Sequence, residues 1–167
     1  MVPPSISPSR YRPTEDGLGL WVRGILVGIV IGLLGVFAIA IKLDPYQDDG
    51  SPRVMATHQQ LGLPPCTFLE VTGVPCPACG MTTSFALLVR GDVMNSLRAN
   101  WVGTLLAGFC LAVIPWGVYA IVRGRSLFVR SLEKALIGAV ITVLVVTMLR
   151  WGLVLVLLWG GRPGAQP

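Results

Sequence analysis

Apolar residues fall into three long runs, separated by one broad polar stretch and one short basic one. From Leu20 to Ile41 only Arg23 interrupts the run, and Gly24 to Ile41 alone is long enough to cross a hydrocarbon core. Trp101 to Val122 forms the second run. Trp101 and Tyr119 stand where interfacial aromatic residues belong, and Pro115 is expected to kink the helix. Ala135 to Trp159 is the third, interrupted by Arg150 about two-thirds of the way along. The pattern predicts an all-α integral membrane protein, with three transmembrane helices plus a cysteine-containing loop that carries a short interfacial helix. The remaining segments are a proline- and serine-rich tail over 1–19, the polar region over 42–99, a basic loop over 123–134 and a short tail over 160–167.

The rival reading of the first run is a cleaved secretion signal, with Ala38 and Ala40 as the small-residue pair. The run is longer than such signals usually are, so a retained helix is expected. Within it Gly24, Gly28 and Gly32 recur every fourth residue, which places them on one face where another helix could approach closely, inside the chain or outside it.

The polar region opens with Asp44, Pro45, Asp48, Asp49, Gly50 and Pro52, a composition that forms turns. Thr82 to Val89 is predicted to be a short helix lying in the membrane interface and ending at Gly91. Asp92 is then placed to cap a helix running through Leu97 into the second span. Arg90 and Arg98 are expected at headgroup level.

With 167 residues there is room for one compact unit, and 53% apolar against 13% charged residues sets the chain apart from soluble domains. The net charge of +5 changes little, because the basic residues are scattered and flank the apolar runs; a bilayer is the implied partner and nucleic acid is not. Arg10, Arg12, Arg23, Arg123, Arg125, Arg130 and Lys134 share one side of the predicted topology. Lys42, Arg53, Arg90, Arg98 and Arg162 share the other. The basic density of the second loop puts the amino terminus and that loop in the cytoplasm, and the cysteine region and carboxyl terminus outside.

The candidate chemistry lies in Cys76-Pro77-Ala78-Cys79-Gly80, with Cys66 upstream; Cys110, inside an apolar run, reads as inert packing. The spacing admits three uses. Both thiols of the motif, with Cys66 and the single histidine His58, would form a closed tetrahedral site for a metal such as zinc. Alternatively, Cys76 and Cys79 form a redox dithiol at a helix start, exchanging with a quinone or another membrane oxidoreductase. Or Cys66 pairs with Cys76 or Cys79 in a plain structural disulfide. Arg150 either snorkels outward beside Trp151 or pairs with Asp44. No Ser-His-Asp set, no carboxylate pair on one helix face and no phosphate-binding glycine loop appears, so hydrolase and kinase chemistry have no footing.

The stretch from Cys66 to Leu105 resembles a family of small bacterial membrane proteins known as domain of unknown function 2752. The shared pattern is carried here by Cys66, Cys76, Pro77, Cys79, Gly80, Thr82, Gly91, Asp92 and by Asn100 opening a membrane helix. Where the family often has arginine this chain has Thr83, so no anion contact is implied there. The resemblance implies the bacterial inner membrane, and a shared unit made of the cysteine section and the helix after it. It names no activity. The leading expectation is an accessory module, metal-bound or disulfide-stapled, without catalysis of its own. A thiol-disulfide oxidoreductase using Cys76 and Cys79 is the alternative, and a subunit of a larger membrane complex, joined through the glycine face of the first helix, is the third.

Overall fold

The computed structural model describes residues 19–124 and 132–160, so expectations for residues 1–18, for 125–131 of the basic loop over 123–134 and for 161–167 fall outside the described residues. The chain is helical: α1 covers Leu20–Lys42, a 3-10 turn Thr57–Leu61, α2 Thr67–Thr72, α3 Met81–Leu88, α4 Val93–Arg123 and α5 Leu132–Gly160. Three stretches are long and apolar enough to cross a membrane, Leu20–Lys42, Val93–Arg123 and Lys134–Leu158. Most of their apolar side chains face outward, as expected where lipid rather than water is the solvent.

The centre of the fold is a tight helical hairpin of α3 against the first turns of α4. Gly91, with φ +79°, makes the turn, and the Asp92 carboxylate caps α4 by accepting the Asn95 N–H. The bonds from Asn95, then the approach of Tyr46, hold that carboxyl below its ordinary range. Between the two helices runs a polar seam closed to solvent. The Ser96 hydroxyl donates to the Ser84 carbonyl at 2.8 Å and lies 2.7 Å from the Thr104 hydroxyl, and the Thr57 and Thr83 hydroxyls meet at 2.8 Å. Gly103 is needed here, since a Cβ would collide with the Ser84 hydroxyl.

The break in α4 falls at Asn100, whose φ of −160° and ψ of 101° leave the helical range, rather than at the Pro115 expected from sequence. A helix that stops and restarts exposes backbone groups, and within a membrane these need partners. The fully buried Asn100 supplies them, accepting the Gly103 N–H at 3.1 Å as an internal cap and donating to the Cys79 carbonyl at 3.1 Å. At Pro115 the backbone keeps its helical dihedrals.

Helix α1 lies antiparallel to α4. Arg23 donates to the Ile121 carbonyl at 2.8 Å, so the start of α1 and the end of α4 share one side. At mid-depth Gly117 receives Val30 so closely that a Cβ would stand 2.8 Å from Val30 Cγ2. Towards the other end Phe37 stacks on Phe85 with ring centroids 5.8 Å apart. The intramolecular contact therefore uses Leu26, Val30, Phe37 and Ala40, while Gly24, Gly28 and Gly32 meet nothing within 4 Å. Arg90 donates to the carbonyls of Ala40, Ile41 and Ala86 and so closes the last turn of α1.

Two outcomes follow for thermal unfolding in detergent. Arg90→Ala removes charge-assisted bonds from the end of α1 and should cost roughly 1–3 kcal/mol. Asn100→Ala strands the Gly103 N–H and the Cys79 carbonyl in a buried place and should cost roughly 2–5 kcal/mol.

Candidate functional site

Cys76 and Cys79 sit in the turn leading into α3, and Cys66 opens α2, so two short loops deliver three sulfurs to one place. The Pro77 ring fixes its own φ, and the Cys79 N–H closes the turn on the Cys76 carbonyl at 3.1 Å. Gly80, with φ +81°, ends it. A Cβ there would stand 2.6 Å from the Ala99 carbonyl and 2.8 Å from that of Val54, so glycine alone lets the motif lie against both α4 and the loop before the 3-10 turn.

The sulfurs of Cys66, Cys76 and Cys79 all lie within 4.8 Å of one another. Cys79 Sγ donates to Cys76 Sγ at 3.1 Å and accepts the Cys76 N–H at 3.2 Å. All three are free thiols, partly exposed at a cavity of about 320 Å3 whose wall also includes Met55, His58, Glu70 and Thr83. His58 thus borders the site, but its Nε2 lies 3.3 Å from the Pro64 carbonyl and is not gathered in with the sulfurs. Ala56, on the same wall, holds a φ of 73°, a strained setting for a residue with a Cβ.

The thiols are not equivalent. The backbone amide of Leu69, in the first turn of α2, holds the Cys66 thiol below its ordinary value, while burial beside Cys76 pushes Cys79 up to about 12. The helix-start effect that sequence reasoning assigned to the C-P-x-C pair therefore acts on Cys66. Cys110 lies in the span of α4, away from the group.

Helix α5 reaches this site from the membrane. The Trp151 indole N–H donates to the Pro75 carbonyl at 2.9 Å, and its ring meets Phe68 edge-on at 5.9 Å. Arg150 is brought within electrostatic reach of Cys79 and Cys76. Its expected partner Asp44 is engaged elsewhere, accepting the Tyr46 N–H at 3.0 Å and holding Gln60 through its backbone. Neither the Asn100 grip on Cys79 nor the approach of Arg150 was read from the sequence. A polar residue at a predicted helix start was the available signal for the first, and a charge inside an apolar run for the second.

No curated protein and no solved structure matches this chain. Residues 66–114, which span α2, the C-P-x-C turn, α3 and the first two-thirds of α4, match the family described as protein of unknown function (DUF2752), the same family that the cysteine motif resembles.

Proposed function

We propose that this chain is an integral protein of the bacterial cytoplasmic membrane whose Cys66, Cys76 and Cys79 bind one soft divalent metal ion, zinc being the natural choice, in an accessory module on the extracytoplasmic side. The observation that carries the reading is the convergence of three sulfurs from two loops at the rim of a cavity. Thiolate sulfur is the donor that such ions prefer, and a structural site needs three or four ligands. His58, on the cavity wall, would complete the set after turning from Pro64. In the loop over 43–80 the apolar side chains of Val54, Leu61, Leu63, Phe68 and Val71 are exposed, and metal binding would contribute directly to its folding.

A second reading is favoured by one contact. The Cys76 and Cys79 sulfurs, 3.1 Å apart, would join on loss of two electrons and two protons to a membrane acceptor such as a quinone, with Cys66 as the more acidic exchanging thiol.

Protein purified without reductant and analysed for metal decides between them. One ion per chain, with all three cysteines protected from alkylation, is the expected result, and Cys76→Ser should weaken metal binding on the order of 100-fold or more. A metal-free protein with a reducible Cys76–Cys79 pair would overturn the metal reading in favour of the second. In the reduced, metal-free protein at pH 8, Cys66 should react with iodoacetamide on the order of 100-fold faster than Cys79, because only the thiolate reacts. Residue-resolved mass mapping over a time course checks this order.

A further inference from the structure

Arg150 stands inside the span Lys134–Leu158, where a guanidinium is costly unless it is paired. Among the described residues it has neither a hydrogen bond nor an ion pair, and Asp44 is turned away to Tyr46. The ionisable groups within its electrostatic reach are the thiols of Cys79 and Cys76. This placement is not accidental to a long side chain. The neighbouring Trp151 fixes the same turn of α5 against the cysteine loop through Pro75 and Phe68, which stand next to Cys76 and near Cys66 in the chain.

We infer that Arg150 is the counter-charge of the sulfur cluster, a positioning residue that balances the negative charge the site carries when a metal ion fills it. The inference rests on the metal-binding reading above. Three thiolates around a divalent ion leave one negative charge, and one guanidinium cancels it. Near hydrocarbon, where charges are poorly screened, such a balance matters more than it would in water. It also bears on the fourth ligand: neutral His58 preserves the balance, whereas the Glu70 carboxylate would undo it. The arginine that looks stranded in the third span is, on this account, the membrane-side half of the site.

The test uses the full chain in detergent, with Cd2+ as probe in competition with a chelator, comparing the wild type with Arg150→Gln and Arg150→Lys. Arg150→Gln should weaken Cd2+ binding about 10- to 100-fold, the usual effect of losing a partner just outside the ligands, and Arg150→Lys should recover most of it. A parallel measurement follows thermal unfolding of the metal-free protein, which neither substitution should lower, because the balance is needed only when the site is filled. Equal Cd2+ affinity in Arg150→Gln and the wild type would overturn the inference and leave the metal reading standing. A loss that Arg150→Lys does not rescue, with lowered stability of the metal-free protein, would also overturn it, by making Arg150 a packing residue. A wild type that binds no Cd2+ would remove the metal reading and the inference with it.

Discussion

The demand that backbone groups within a membrane find partners shapes this protein at Asn100. A helix crossing a bilayer satisfies its own amides and carbonyls, and it can stop and restart only where a side chain takes over that task. Asn100 does so in both directions, capping the restarted helix at Gly103 and holding the Cys79 carbonyl. The bend is thus inseparable from the placement of the cysteine turn. Ser84, Ser96 and Thr104 extend the same principle through the hairpin, so that α3 and α4 meet across a polar seam as well as an apolar one. A purely greasy contact would not fix the rotation of α3, which is what aims Cys76 and Cys79 at Cys66.

What was legible in the sequence follows from which physical signals are local. Hydrophobic run length needs no partner to be interpreted, and the structure has three helices long and apolar enough to cross a membrane, the second beginning at Val93, ahead of the expected Trp101. The Asp92 cap, the turn at Gly91 and the short helix before it are equally local and were read correctly. The convergence of the three cysteines was legible as a possibility because C-P-x-C fixes two sulfurs by itself. The position of Cys66, by contrast, depends on how the loop folds back. Failures came where an effect depends on distant residues. The proline in α4 has an obvious local cost and was given the bend, yet the bend falls where a buried amide can bridge two segments twenty-one residues apart. The glycine repeat of α1 makes no contact among the described residues, where Val30 packs instead on Gly117 of the other helix.

The basic residues show the same division. Counted along the chain they are a topology signal; placed in the fold, two of them are tied to particular groups and a third lies near the sulfurs. Arg23 joins the two ends that share one side, Arg90 closes α1, and Arg150 comes within electrostatic reach of the thiols. Each answers a charge or dipole that the sequence alone does not locate. The acidic start of the polar region is similarly occupied, with Asp44 fastening the loop to Gln60 and Tyr46 instead of reaching across to α5.

The third span is the least embraced of the helices, with 6% of its apolar window buried inside the protein against 22% and 17% for the other two. Its named side-chain anchor is at the level of Trp151, beside the cysteine loop. It also packs against α4, and its Thr147 is buried, so neighbouring helices and the Trp151 anchor set its tilt. A helix held so sparingly ties two places together: any rotation of α5 that draws Trp151 away from the cysteine loop carries Arg150 with it, so the hold on one aromatic side chain governs where a membrane charge stands.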